Sequence, residues 1–318
     1  MSARTAAELA APSGSGEPEV ADPPIAAAKP PGNARLVLLS LLAVYVIWSS
    51  TYLALRFVVE AMPPLMAGGG RFIVAGAMLY AFLLWRGAPH PTAREWMLSV
   101  PVGALMLLGG NGFVSLADQH VSSGSAAVMV ATMPLFAAGF GVALGERPAR
   151  REWLGLVLGF AGVVWLSIGS DLRGSPWATL LLVMSPVCWA IGSMIARRVA
   201  LPKGLMSAAT QMVGGGLVSL LVGLAIGESM PGHYEAKAVG ALVYLVIFGS
   251  IVAFSAYTYL LRNASASLAM SYAYVNPALA VLLGVFAGAE TLYPSTIPAT
   301  GLIVAGVALL VTTRTRRT

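Results

Sequence analysis

The most constraining feature of this sequence is that it contains two versions of one apolar segment. Residues 125–166 begin with the string SAAVMVATMPLF and continue as a glycine-rich apolar run, while residues 268–310 begin with LAMSYAYVNPAL and continue in the same way. A proline, a glutamate and a glycine match between the copies: Pro134 with Pro277, Glu146 with Glu290, and Gly162 with Gly306. Because an internal repeat decides the architecture of a chain, the two copies are expected to form the same structural unit.

The duplication extends through the apolar part of the chain. Trp48 and Arg56 in the first apolar run match Trp189 and Arg197 in the sixth run, with the same spacing within each pair. The repeating unit therefore contains five membrane spans. Because five is odd, the second copy crosses the membrane in the opposite sense to the first. Such an inverted repeat is characteristic of secondary transporters, in which two halves surround a site near the membrane midplane.

The composition places the chain in a bilayer. Charged residues make up 10% of the sequence, hydrophobic residues 58%, and the mean hydropathy is +0.80. These values exclude an ordinary soluble domain. The net charge of +6 comes from basic residues scattered among short loops, which favours a role in membrane orientation over nucleic-acid binding. The single cysteine, Cys188, cannot form an internal disulfide.

We predict an all-α integral membrane protein of ten transmembrane helices, arranged as two inverted five-helix repeats. Residues 1–34, rich in Ala, Pro, Gly and Ser, are expected to form a disordered tail. The first repeat covers residues 36–169 and the second covers residues 176–313. The ten spans, each about as long as a bilayer core is thick, lie near 36–57, 65–85, 96–116, 122–144, 152–169, 176–196, 206–226, 237–260, 267–288 and 294–313.

The distribution of Lys and Arg predicts the orientation. If the N-terminus is cytoplasmic, 15 of the 19 basic residues lie on the cytoplasmic side, and only Arg56, Arg173 and Lys237 lie on the other, with Arg71 inside a span. Positive residues concentrate on the cytoplasmic side of membrane proteins. Both termini are therefore expected in the cytoplasm. We see no short apolar core with a cleavage site before residue 36, and so expect no secretory signal peptide.

Several strings in the chain resemble one transporter family. VIWSSTYLALR, PPLMAGGGRF, SSGSAAVMVATMPLF, FGSIVAFSAYTYLLRN and SYAYVNPALAVLLG are similar to the EamA family of the drug/metabolite transporter superfamily, particularly to its bacterial inner-membrane members. The resemblance covers roughly residues 36–313. It implies a carrier that exports small metabolites or amino-acid-like compounds, with helices one to four and six to nine enclosing a cavity.

Arg71 is the one cation well inside a predicted span, about 10 Å from the start of its helix at 1.5 Å per residue. Two interpretations are open. A guanidinium can clamp a carboxylate or phosphate on the cargo with two parallel hydrogen bonds, or Arg71 can be structural, satisfied by backbone carbonyls, by Glu60 or by the membrane surface. The equivalent position in the second repeat is Gln211, which is polar but uncharged.

Aromatic residues follow one face of the first helix. Tyr45, Trp48 and Tyr52 are spaced at i, i+3 and i+7, and Trp189 occupies the place equivalent to Trp48 in the sixth helix. They can form an aromatic wall for an apolar or cationic cargo. They can equally be packed between helices, which is the more frequent role of such residues.

Three further polar residues and two prolines complete the candidates. Asn111, Tyr272 and Asn276 can bind cargo by hydrogen bonds or can hold helices together. Pro134 and Pro277 fall near the middle of their spans, where proline removes a backbone hydrogen bond and kinks the helix. Their recurrence in both halves suggests a hinge, although a kink that serves only packing is the alternative.

The sequence offers no catalytic residues, cofactor motif or metal-binding spacing, and none of its 13 acidic residues lies mid-span. We therefore expect a small-molecule substrate, the lipid bilayer as surroundings, and no nucleic-acid partner; the oligomeric state stays open. Two alternatives to a carrier remain: an integral membrane enzyme acting on lipid-linked groups, and a pore. An enzyme would need an acid, base or metal cluster, and a pore would need a selectivity ring.

Overall fold

The computed structural model describes residues 33–117, 119–120, 129–166, 176–230, 232, 234–276, 278–279 and 296–315. The secondary structure of these residues is entirely helical. Most of the predicted tail, Pro277, Glu290 and the side chain of Tyr52 lie outside the described residues.

The helices are numbered here in chain order. They are α1 (Ala34–Val59), α2 (Pro64–Trp85), α3 (Ala93–Ala117), α4 (Met133–Ala143), α5 (Arg150–Leu166), α6 (Pro176–Arg198), α7 (Met206–Ala225), α8 (Ala236–Asn263), α9 (Ala266–Met270) and α10 (Thr296–Thr315). A second short helical stretch, 272–276, follows α9 after a turn at Ser271.

Within the described residues, six helices are long and apolar enough to cross a membrane: α1, α2, α3, α6, α7 and α8. Their bounds agree within a few residues with six of the predicted spans. Shorter apolar helices lie within two more predicted spans, at Met133–Ala143 and Ile297–Leu310. The prediction of an all-α protein is therefore confirmed for the described part of the chain, and its long apolar helices are consistent with an integral membrane protein.

Local signals in the sequence fix where the helices begin. The Asn33 side chain accepts a hydrogen bond from the Arg35 backbone at the start of α1. Thr92 and Glu95 form a reciprocal capping box at the start of α3, in which each side chain accepts from the other residue's backbone N–H. Such caps satisfy N–H groups that have no partner within the helix.

Glycines bring α2 and α7 into backbone contact. A Cβ atom built on Gly69 would lie 2.7 Å from the Leu220 nitrogen and 2.8 Å from the Gly216 oxygen. One built on Gly76 would lie 2.9 Å from the Ala209 oxygen. Since apolar association gains little in lipid, close approach through small residues is what holds such helices together.

The same device joins α5 to α10. A Cβ atom on Gly155 would lie 2.8 Å from the Gly306 oxygen, and one on Gly162 would lie 2.8 Å from the Ala299 oxygen. The glycines that first indicated a repeat are therefore contact points between helix backbones.

Two of the long helices contain a π-helical segment. Ala104–Gly112 in α3 and Leu245–Val252 in α8 are π-helical. In α3, a proline at position 101 precedes the wide segment. π-Helical segments leave backbone groups with altered partners and recur at functional sites. Both segments lie beside the cavity described below.

A carboxylate ties the end of α7 to the start of α2. Glu228 accepts hydrogen bonds from the backbone nitrogens of Leu65, at 3.1 Å, and Met66, at 2.7 Å. A negative charge at a helix N-terminus is favourable because the free N–H groups and the helix dipole both point at it. This contact adds to the glycine contacts along the same pair of helices.

The glycine contacts predict opposite effects for two adjacent substitutions in α2. Gly69→Ala should lower stability by about 1–3 kcal/mol, because the new methyl group meets backbone atoms that cannot move aside. Gly68→Ala is the matched control, since no atom lies within 4 Å of a Cβ at that position. It should leave stability unchanged or raise it by about 0.5–1 kcal/mol, because alanine is the better helix former. The measurement is the thermal unfolding midpoint of the purified protein in detergent; equal midpoints would contradict the backbone contact.

Candidate substrate-binding cavity

A cavity lies among α1, α2, α3, α4, α6, α8 and the 272–276 stretch. The space open to the centres of water molecules inside it is about 90 Å³. A single water needs roughly 10–15 Å³ of such space, so several waters fit inside. Six of the residues singled out from the sequence line it: Trp48, Arg71, Asn111, Trp189, Tyr272 and Asn276.

Arg71 is the one charged side chain among the described residues that line the cavity. It is 6% exposed, and its Nε atom is buried without a hydrogen-bond partner. The guanidinium carbon lies 4.2 Å from the centre of the neighbouring Phe72 ring, a weak cation–π contact that supplies no hydrogen-bond acceptor. Glu60, suggested by the sequence as a structural partner, pairs with Arg56 instead, at 2.9 Å.

The aromatic residues of the two halves meet directly. The ring centres of Trp48 and Trp189 are 5.6 Å apart with their planes nearly perpendicular, and Tyr272 lies 4.6 Å from Trp48. Edge-to-face arrangements at such distances are favourable. The two indole N–H groups are used inside the protein, Trp48 donating to the Gly249 carbonyl and Trp189 to the Tyr257 hydroxyl. The cavity therefore meets their rings rather than their N–H groups.

The amide side chains contribute donors and acceptors at the cavity wall. The Asn276 side-chain oxygen accepts a hydrogen bond from Ser49 at 3.0 Å, which leaves its NH₂ group for another partner. Asn111 lies in the π-helical part of α3, and its side chain makes no hydrogen bond with the described residues. The Ser185 hydroxyl is occupied, donating to the Gly110 carbonyl at 2.7 Å.

Two of the residues predicted as substrate-binding lie away from this cavity. The Tyr45 hydroxyl shares a 2.5 Å hydrogen bond with Ser271 and so joins α1 to the turn after α9. Gln211 is 1% exposed and donates its amide to the Ser207 carbonyl and hydroxyl within α7. Neither is among the cavity-lining residues.

Pro134 stands at the second residue of α4, directly after a turn at 131–132. The Thr132 hydroxyl donates to the Met129 carbonyl there, at 2.6 Å. The turn at 131–132 therefore separates the helical residues 129–130 from α4. It lies next to Val130 and Met133, which line the cavity.

Tyr257 is the main residue of this region that the sequence did not single out. It is fully buried, and its hydroxyl accepts from Trp189 and shares a hydrogen bond with Ser193, both at 2.8 Å. Its ring lies 5.3 Å from that of Trp48 and 5.7 Å from that of Tyr272. The sequence carries no signal for it, because Tyr257 is one of three tyrosines in α8 and has no distinguishing spacing.

No group of three or more His, Cys, Asp or Glu side chains among the described residues is arranged to hold a metal ion. The described wall of the cavity presents Arg71, two amides and aromatic rings. Apolar helices of membrane-spanning length around such a cavity indicate a multi-spanning membrane protein.

Comparison with known proteins assigns the family. The model of the EamA-like transporter family matches the chain twice, over residues 35–168 and 176–312. The chain belongs to this family and is a membrane transporter, which confirms the resemblance seen in the sequence.

Named relatives agree with this assignment. An uncharacterized inner membrane transporter, YedA of Escherichia coli strain K12, is 44% identical over 272 residues, covering 85% of this chain and 89% of that protein. An uncharacterized transporter of Archaeoglobus fulgidus is 26% identical over 249 residues, covering 76% of this chain and 85% of its own length. One crystal structure shares the fold with a TM-score of 0.72 and 26% identity, covering 86% of this chain and 95% of its own.

The hydrogen bonds around Tyr257 predict a stability effect. Tyr257→Phe removes the acceptor of the Trp189 indole and one partner of Ser193, and should cost about 1–3 kcal/mol because a buried donor is left unpaired. Tyr259→Phe is the control, since the Tyr259 side chain is half-buried in the same helix and makes no hydrogen bond with the described residues. Thermal unfolding in detergent should separate the two variants, and an unchanged midpoint for Tyr257→Phe would show that the bonds contribute nothing.

Proposed function

We propose that the protein is a secondary-active carrier that exports small metabolites or amino-acid-like compounds by alternating access. In this proposal ten helices form two inverted five-helix repeats around a midplane site, in a bacterial inner membrane with both termini in the cytoplasm. The observation that carries the proposal is that Trp48 and Trp189, equivalent residues of the two repeats, meet at the wall of one cavity.

The pairing of helices supports the repeat. α2 packs on α7, α4 on α9 and α5 on α10, and each of these pairs joins equivalent helices of the two halves. α1 packs on α8 while α3 packs on α6, and exchanging the halves converts one of these pairs into the other. A pseudo-two-fold axis in the membrane plane would produce this pattern.

Individual contacts follow the same exchange. The contact of Gly69 with Gly216 corresponds, when the halves are exchanged, to that of Ala209 with Gly76, and both are present. The π-helical segments also recur: their first residues, Ala104 and Leu245, are separated by as many residues as Trp48 and Trp189.

A difference between two equivalent arginines supports alternating access. Arg197 donates to the carbonyls of Leu261, at 2.8 Å, and Ala264, at 2.7 Å, and so bridges α6 to the junction of α8 and α9. The side chain of its counterpart Arg56 is 75% exposed, and among the described residues its one ion pair is with Glu60, one turn away. Arg197 thus bridges helices at its end of the bundle, whereas its counterpart makes no such bridge to the described helices at the other end. Inverted-repeat carriers are expected to alternate between two such conformations, in which the halves exchange roles.

A flux experiment tests the carrier. Metabolites released by expressing cells but not by null cells are identified, and the labelled compounds are then supplied to liposomes that contain the purified protein. A carrier gives saturable flux that is accelerated by unlabelled compound on the opposite side. Non-saturable flux would indicate a pore, and chemical conversion of the compound would indicate an enzyme.

Matched variants connect that flux to the cavity. Gly110→Leu should abolish it, because a Cβ atom there would lie 2.4 Å from the Trp189 ring. Gly139→Leu, at a position with no atom within 4 Å, should leave the flux unchanged.

A topology experiment tests the inverted repeat. The basic-residue distribution places Arg150 and Lys203 in the cytoplasm and Arg173 and Lys237 on the opposite side. Reporter fusions at these four positions should give two cytoplasmic and two external signals. A cytoplasmic signal from the fusion at Lys237 would contradict the inverted arrangement.

A further inference from the structure

We infer that the cargo is a small organic anion, bound through a carboxylate at Arg71, and that the carrier exchanges such anions faster than it returns empty. This inference rests on the proposed carrier function and narrows its substrate class. It starts from the charge of the cavity wall.

The described part of the wall carries a positive charge without a balancing negative one. Arg71 lines the cavity, and none of the other described lining residues is acidic. The Arg71 Nε atom is buried with no hydrogen-bond partner, and the guanidinium forms no ion pair with the described residues. A buried guanidinium normally has a partner, because an isolated charge in an apolar interior is costly. A bound anion would be that partner.

The neighbouring amides can add hydrogen-bond donors to those of Arg71. The Asn276 oxygen is occupied by Ser49, so the free part of that amide is its NH₂ donor. The Asn111 amide can donate as well. Arg71 and these two amides offer hydrogen-bond donors, which a carboxylate accepts and an ammonium group cannot. An ammonium group would find no carboxylate among the described lining residues.

The rest of the wall suits an apolar, flat body. Trp48, Trp189 and Tyr272 present rings to the cavity, and Phe72 and Phe254 also line it. The indole N–H groups are already bonded within the protein, so these residues offer apolar ring surface. A carboxylate attached to a ring or a short apolar chain therefore matches both parts of the wall.

The same charge affects the return of the empty carrier. When the cavity is closed from both sides, an empty carrier encloses Arg71 without a counter-ion, whereas a loaded carrier encloses a neutral pair. Removing one partner of a buried pair is strongly unfavourable, so the closed state is reached more easily with an anion bound. Exchange of one anion for another is then faster than net movement.

Binding to the wild-type protein is the first test. The probes are 3-phenyllactate, its uncharged amide, 2-phenylethylamine and lactate, titrated at neutral pH. The signal is intrinsic tryptophan fluorescence, to which Trp48 and Trp189 at the cavity wall contribute two of the seven tryptophans. We expect 3-phenyllactate to bind at least tenfold more tightly than its amide, and the amine not to compete. Equal binding of acid and amide, or failure of both carboxylates to bind, would overturn the inference.

Substitutions at Arg71 are the second test. Arg71→Gln introduces the residue that the equivalent position 211 carries, and should weaken 3-phenyllactate binding roughly ten- to a hundred-fold, the loss expected for a hydrogen bond to a charged group. The uncharged amide of 3-phenyllactate should bind to this variant as tightly as to the wild-type protein. Arg71→Lys should restore part of the affinity, because an ammonium supplies the charge without the two-pronged contact. Arg94→Gln removes an exposed arginine and should change the affinity for neither 3-phenyllactate nor its amide. If Arg71→Gln folded poorly but bound 3-phenyllactate normally, Arg71 would be structural.

Liposome flux separates this inference from the carrier function. Efflux of labelled 3-phenyllactate, corrected for leak through protein-free liposomes, should rise at least tenfold when unlabelled 3-phenyllactate is present outside. In Arg71→Gln the ratio of efflux with external 3-phenyllactate to efflux without it should fall toward one. Saturable counterflow of uncharged solutes, with no preference for anions, would retain the carrier and reject the inference. Absence of saturable counterflow for the four probes and for every exported metabolite would reject the carrier itself.

Discussion

Backbone contact between helices is the interaction on which the rest of this structure depends. In lipid there is no water to drive apolar surfaces together, so helices associate through close packing and hydrogen bonds. Gly69 against Gly216 and Gly155 against Gly306 provide that packing for two helix pairs. The cavity lies between one of these helices, α2, and the helices α1, α3, α4, α6 and α8, where side chains leave space unfilled.

The helical architecture was accessible from the sequence because its signals are additive. Apolar length and loop charges each act over many residues, and together they predicted six of the membrane helices to within a few residues. The capping box at Thr92 and Glu95 is a local signal that was not used in that prediction. The two π-helical segments were not predicted, because their apolar pattern resembles that of an ordinary helix and only tertiary contacts decide between the two.

The candidate site was accessible in part. Polar and aromatic residues inside an apolar span are conspicuous in a sequence, and six of those singled out line one cavity. The sequence does not show which hydrogen-bond partner each of these side chains has. Tyr45 and Gln211 carry the same kinds of groups as the cavity residues, yet their hydrogen bonds are made to Ser271 and Ser207. Tyr257 escaped notice for the opposite reason, since one tyrosine among several in α8 has no distinguishing pattern.

The Glu228 carboxylate has a consequence for which parts of the protein can move. It binds the end of α7 to the start of α2, and the glycine contacts join the same two helices along their length. These helices belong to different repeats, yet close-packed backbones resist sliding. In the proposed alternating-access motion, we therefore expect rigid bodies that do not coincide with the two copies in the sequence. We expect bending where regular α-helical hydrogen bonding is interrupted, namely at the turn before Pro134 and in the π-helical segments of α3 and α8.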